Sequence, residues 1–348
     1  LIFIKKYIFV AWKMRNYPKN KKRIKIRATI IGFMVNWVGI ALVVFVMFIW
    51  GASSNVYKFA LGDQSDLKGD PISALSIRII FVFIAVFITA LIFEQPFSIF
   101  SMDPQSLRNY LLTCGLSGVL TILGDICYFK ALQLLDSCRI YPLVNTQALF
   151  TFPLAAFFFG EQITLFIWIS GALMIIGVLF FGSTDNMDKG IACLEEIKRK
   201  KTYMVGFFAG LTVGFFYATQ YITMTLARVY YSGPFTQNSF RVLTFLVVLW
   251  GYMLATKKHI PRFRTFEEKR SIKNYLIIGI MGAISMGICD GLYQIGVSLN
   301  GSAISIVIAS NAPLVNQLFG VLLLKEKFRA RFVIGVIIII LANILVIL

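Results

Sequence analysis

Pro71-Ile72-Ser73-Ala74-Leu75-Ser76-Ile77-Arg78 opens one long apolar run, and Pro234-Phe235-Thr236-Gln237-Asn238-Ser239-Phe240-Arg241 opens another further along the chain. Each stretch puts proline at a first helical turn, where a missing N–H costs nothing, and an arginine two turns later inside apolar sequence. Further matches follow at nearly the same spacing. Asp125-Ile126-Cys127-Tyr128 falls on Asp290-Gly291-Leu292-Tyr293, and Gly160-Glu161 falls on Lys325-Glu326, at shifts of 163 to 165 residues. Apolar helices resemble one another through composition alone. Pro, Arg, Asp, Tyr and Glu matched in one order do not, so the chain reads as an internal repeat.

Working outward, the 348 residues are 58% hydrophobic and 14% charged, against roughly 45–50% and about 25% in a soluble domain. Runs of about twenty apolar residues, each long enough to cross ~30 Å of hydrocarbon, recur along the chain. They predict spans over 34–60, 72–94, 108–133, 138–159, 163–182, 203–226, 235–255, 273–299, 302–324 and 331–348. The expected fold is an all-α membrane protein with ten transmembrane helices arranged as two inverted five-helix repeats. Residues 1–33 form a basic tail, 34–182 the first repeat, 183–202 a charged linker and 203–348 the second repeat. Five crossings is an odd number, so the second repeat enters the membrane from the opposite side. Such architectures place a site near the midplane between halves that rock against each other.

The formal net charge of +18 does not imply nucleic acid, because most Lys and Arg stand between or beside the apolar runs, where they meet lipid headgroups. Ten basic residues and no acid within 1–33 read as a basic tail and not as a secretory signal. The first residue is Leu1 and not Met, which leaves the native start open. The five cysteines show no CxxC spacing, and His259, the one histidine, lies in a basic loop. No DDxxD, HExxH, GxSxG or phosphate-loop pattern occurs. An enzyme is therefore not expected, nor a metal or cofactor.

Ionisable groups inside apolar runs carry the functional reading, since a charge at a helix centre costs on the order of 2.5–3.5 kcal/mol and requires a partner. Arg78 and Asp125 both fall roughly 11 Å below the same face, and Arg241 and Asp290 repeat the arrangement near the opposite face. Two ion pairs framing a central cavity are expected, acting on a charged substrate group or a proton, or as clamps between helices. Tyr128 and Tyr293 lie one turn from the aspartates. Gln147 and Asn311 add hydrogen-bonding groups, and with Arg78, Asp125, Arg241 and Asp290 these complete the candidate substrate-binding set. Tyr57, Tyr221, Gln220, Asn145, Asn238 and Gln317 also lie within spans and read largely as interhelical bonds. Gly206, Gly210 and Gly214 share one helix face, expected to pack within the chain. Lys58 and Lys130 are expected to snorkel, and Glu161 and Glu326 to anchor helix ends.

Trp50-Gly51, the paired Arg78 and Arg241, Gly160-Glu161 with Gly171 and Gly177, and Pro313 thirteen residues before Glu326 form a combined pattern. On these residues the chain resembles the drug/metabolite transporter superfamily, in particular its EamA-type ten-helix members, over about residues 36–348. It departs from that pattern with Ala148 at the place matching Pro313, with Pro142 and Pro153 nearby, and with Lys325 before Glu326. The resemblance implies secondary transport of a small-molecule solute such as an amino acid, nucleotide, sugar or drug, by alternating access in the plasma membrane. Membrane lipids surround such a protein, protons or a counter-solute drive it, and it works as a monomer or homodimer. The alternative is a non-transporting multi-pass receptor or assembly subunit. Counting loop charges favours the termini outside, whereas the resemblance implies both termini in the cytoplasm.

Overall fold

The computed structural model describes residues 36–61, 71–134, 137–160, 164–182, 193–258 and 268–324, with isolated helical positions between 334 and 345. All regular structure among these residues is helical. In chain order the elements are α1 (Trp37–Leu61), α2 (Pro71–Phe93), a 3-10 turn (Pro96–Ser101), α3 (Pro104–Leu134), α4 (Ser137–Val144), α5 (Gln147–Phe159), α6 (Leu165–Gly182) and α7 (Cys193–Ala227). Then come α8 (Pro234–Thr256), α9 (Glu268–Gly282), a π turn (Ala283–Ile288), α10 (Cys289–Asn300), α11 (Ser302–Ala309) and α12 (Ala312–Leu324).

Seven helical stretches among the described residues are long and apolar enough to cross a membrane. The outward faces of the helices carry large apolar side chains that water would not solvate: Phe157 is 82% exposed, Leu165 72% and Leu322 66%. The polar groups lie inside instead, where Arg78, Asp125, Asn55, Asn238 and Asn316 are all buried. That distribution suits hydrocarbon as the surrounding solvent.

Helix starts follow local chemistry. α2, α3 and α8 each begin with proline, whose fixed φ suits the first turn. Before α3, the Ser106 N–H donates to Asp103 Oδ2 at 2.8 Å, which holds that exposed carboxyl below its ordinary range. Gly160 ends α5 at φ 62, a left-handed conformation in which glycine has no steric penalty.

The expected spans 138–159 and 302–324 are not continuous. The first breaks between α4 and α5 at Asn145-Thr146, and the second between α11 and α12 at Ser310-Asn311. In both, side chains bond to carbonyls of the preceding turn, two of which also keep their helical N–H donors, Asn145 N on Tyr141 O and Ser310 N on Ile306 O. Asn145 Nδ2 donates to Tyr141 O at 2.7 Å and Thr146 Oγ1 to Leu143 O at 2.6 Å. Ser310 Oγ donates to Ile306 O at 2.7 Å and Asn311 Nδ2 to Ile308 O at 2.8 Å. The breaks occupy matching places in the two halves. Within the expected linker 183–202, α7 reaches back to Cys193, so residues 193–202 are helical. Glu161, His259 and Glu326 lie outside the described residues.

Packing is chiefly between halves. α7 runs along α3 and α5 and touches α4; its counterpart α1 runs along α9, α10 and α12 and touches α11. α2 packs on α8, where Trp250 Nε1 donates to Ser76 O at 3.1 Å. Exchanging the halves leaves this pattern of neighbours unchanged. The glycine face of α7 packs inside the chain: a Cβ on Gly210 would stand 2.8 Å from Leu143, and one on Gly214 2.7 Å from Thr146 Oγ1.

Candidate functional site

Where α1, α2, α3, α7, α8, α10 and the π turn converge around the α4–α5 break, they line a half-open cavity of about 100 Å³. Arg78 on α2 and Asp125 on α3 form an ion pair through Nη2 and Oδ2, and both residues are 3% exposed. The guanidinium also lies over the Tyr57 and Phe129 rings, 5.5 and 5.0 Å from their centroids. On the other half Arg241 Nη2 donates to Asp290 Oδ2 at 2.5 Å. Both pairs line the same cavity.

Helix α7 adds a feature that spacing alone did not reveal. Tyr217 donates its hydroxyl to Asp125 Oδ1 at 2.6 Å, and Tyr221, one turn on, donates to Asp290 Oδ1 at 3.2 Å. One helix thus touches both aspartates, and each carboxylate has an arginine on one oxygen and a tyrosine on the other.

The π turn contributes too. Its extra residue per turn frees carbonyls: Ser285 O accepts from Trp50 Nε1 at 3.0 Å, and Met286 O and Gly287 O each accept from Asn238 Nδ2 at 2.9 Å. Tyr57 and Ser285 share a hydroxyl bond of 2.8 Å. Asn238 is accordingly an interhelical bond, as its position in a span suggested.

Of the remaining candidates, Tyr128 and Gln147 line the cavity. Tyr293 and Asn311 do not. Tyr293 is covered by Trp50 and Tyr221, whose ring centroids lie 5.1 and 5.0 Å from its own. Asn311 is held at the α11–α12 break by its bonds to the Val307 and Ile308 carbonyls. Lys58 donates to the Leu132 carbonyl at 2.5 Å, and Lys130 is exposed.

The cavity is not centred. Tyr57 is four residues from the end of α1, a depth of about 6 Å, whereas Asp290 is ten residues from the end of α10, about 15 Å. The lining therefore reaches toward the face where Lys58 lies. The opposite face is tied shut. Glu94, just past α2, accepts from Phe235 N at 3.0 Å, Thr236 N at 2.8 Å and Thr236 Oγ1 at 2.6 Å, capping α8. Arg228 Nη1 donates to Ser298 Oγ at 2.7 Å, and the same guanidinium reaches the Gln294 side chain. Asn36 N donates to Asn300 Oδ1 at 2.8 Å.

Comparison with known proteins places this geometry. The profile described as the EamA-like transporter family matches residues 37–183 and again 204–348. An uncharacterized transporter of Archaeoglobus fulgidus is 23% identical over 228 residues, 65% of this chain and 72% of that protein. A probable 4-amino-4-deoxy-L-arabinose-phosphoundecaprenol flippase subunit, ArnE, of Hamiltonella defensa is 29% identical over 82 residues, 24% of this chain and 74% of that protein. A protein of known crystal structure shares the fold with a TM-score of 0.59, covering 88% of this chain and 95% of that one at 14% identity.

Proposed function

Because the chain belongs to the EamA-like transporter family and is an integral multi-pass membrane protein, we propose that it carries a small organic solute across the membrane by alternating access. The two halves are read as inverted repeats, 34–182 and 203–348, rocking about the cavity they share. The observation that carries this reading is the pair of buried Arg–Asp contacts, Arg78 with Asp125 and Arg241 with Asp290. They come from matching places in the two halves and line one chamber. A receptor or assembly subunit needs no such symmetric chamber. Protons or a counter-solute supply the driving force in this reading.

Purified protein in proteoliposomes is expected to take up at least one class from a panel of amino acids, nucleosides, sugars and cationic drugs. Accumulation is compared with and without a proton gradient, and Asp290→Asn is expected to lower it about ten-fold or more, the loss of a charged hydrogen-bond acceptor. Movement of nothing on the panel would favour the receptor or subunit reading.

Glu94 sets an expectation for access. Burial pushes its carboxyl above the ordinary carboxylate range, which the bonds from Thr236 and Phe235 only partly offset. A raised value means that protonation occurs at higher pH than for a free glutamate. As pH falls through it, one acceptor oxygen becomes a hydroxyl and the cap on α8 weakens. Tyr231 lies beside Glu94 and donates its hydroxyl to the carbonyl of the neighbouring Gln95 at 3.2 Å. With the native cysteines replaced by serine, labelling of Ile295→Cys by an impermeant thiol reagent from the Glu94 side is expected to be greater at acidic than at neutral pH. The rise should be about ten-fold, one weakened bond to a charged group. Glu94→Gln should label readily at both pH values. Persistence of the pH dependence in Glu94→Gln rules out this cap as its source.

A further inference from the structure

We propose that the carried solute is uncharged, flat and of single-ring size, with hydrogen-bond donors and acceptors on its edge. The inference rests on the transport reading above and names its substrate class.

Charge comes first. The cavity's ionised groups cancel in pairs, and Tyr217 and Tyr221 occupy the second oxygen of each carboxylate. No carboxylate oxygen there lacks a donor, and none of the four charged residues is more than 4% exposed. A charged solute would have to separate a buried pair or enter with its own charge unmatched, and either leaves an uncompensated charge in a medium that penalises it heavily. A neutral solute disturbs neither pair.

Shape follows from the walls. Trp50, Tyr57, Tyr128, Tyr141, Tyr217 and Tyr221 all line the cavity, so much of its surface is ring. Flat solutes pack on such walls through offset or edge contacts, which puckered rings match poorly. Size agrees: about 100 Å³ is less than the ~150 Å³ of an engineered cavity that takes up benzene. One small ring is the scale of this chamber.

The edge chemistry is visible in unmet polar atoms. Gln147 Oε1 is buried without a hydrogen-bond partner, and its side chain lines the cavity from the first residue of α5, at the helix break. Buried acceptors in folded proteins are almost always satisfied, and a donor on the solute would satisfy this one once the Gln147 amide turns toward the cavity. Arg78 Nε and Arg241 Nε are likewise buried and unpartnered. Since each guanidinium is already neutralised by its aspartate, the acceptor that suits it is a carbonyl oxygen and not a further carboxylate. Donor and carbonyl on the edge of a flat neutral ring answer both.

The test uses matched probes on the full chain in proteoliposomes. Radiolabelled uracil and nicotinamide are compared with orotate, which adds a carboxylate to the uracil ring, with nicotinate, which has a carboxylate in place of the amide, and with dihydrouracil, which keeps the polar edge but loses planarity. Entry of a flat neutral probe at least about ten-fold faster than its charged or saturated counterpart is expected. Gln147→Leu should raise the apparent KM for that probe by about ten-fold through the lost acceptor, with its thermal unfolding in detergent unchanged. Faster movement of the carboxylates or of dihydrouracil overturns the substrate class and leaves transport standing. The substrate class falls in the same way if only charged or larger solutes of the broad panel are carried, or if Gln147→Leu leaves the KM unaltered. Failure of every solute to move overturns the transport reading itself.

Discussion

Arg78→Ala is expected to abolish transport and to destabilise the protein by about 3–5 kcal/mol, the range for removing one partner of a buried ion pair. Asp125 would remain with only the Tyr217 hydroxyl, 3% exposed, and no cation in contact. The side chain also packs over Tyr57 and Phe129, so alanine loses that contact as well. Thermal unfolding in detergent, beside uptake into proteoliposomes, measures both losses. A second variant separates clamp from chemistry. Arg78→Met combined with Asp125→Leu removes both charges at similar volume and should recover most of the stability, because apolar replacement of a whole buried pair is often neutral or better. Transport should stay absent in that double variant if the pair takes part in the cycle. Uptake at the native rate would assign it to holding α2 against α3 and nothing more. Exchanging the charges as Arg78→Asp with Asp125→Arg should transport better than either single change; equality with the singles would argue against the pairing.

The ion pairs were legible in the sequence because a charge within an apolar run is costly, and helical rise alone places Arg78 level with Asp125. The repeat was legible for a related reason: Pro, Arg, Asp and Tyr are rare enough in such helices for their order to carry information. The rest depended on which way a helix faces. In α3 and α5 apolar residues lie on every side, so periodicity does not distinguish lipid from interior. Tyr217 is therefore one aromatic among many until α7 is set against α3. Tyr293 shows the converse. It sits one turn from its aspartate as Tyr128 does, yet Trp50 and Tyr221 cover it, whereas Tyr128 lines the cavity. The breaks at Asn145-Thr146 and Ser310-Asn311 escaped because such residues bond across helices as readily as they end them. Glu94 stands at a span end, where an acid ordinarily meets water; only the packing of α8 against it makes it a cap.

Gly214→Leu is expected to impair transport far more than stability. An added Cβ at Gly214 would stand 2.7 Å from Thr146 Oγ1, 3.1 Å from Gln147 N and 3.2 Å from Val144 O. Two of these are backbone atoms at the break, which cannot swing aside as a flexible side chain would. α7 must back away from α4 and α5, an overpacking that costs about 1–3 kcal/mol. Tyr217 and Tyr221 lie on the next two turns of the same rigid helix, so their hydroxyls move off Asp125 and Asp290 together. Displacements of about 1 Å in a positioned site commonly lower rates by about a hundred-fold, and a drop of that order in uptake is expected. Gly251→Ala is the control: nothing lies within 4 Å of its Cβ position and the residue is exposed. It should alter stability by no more than about 0.5–1 kcal/mol, in the favourable direction for a helix, and leave uptake unchanged. If Gly214→Leu transports like Gly251→Ala, close contact between α7 and the break is not what holds the tyrosines on the aspartates. A loss confined to Gly214→Leu ties the small-residue face of one helix to the charge pairs of both halves.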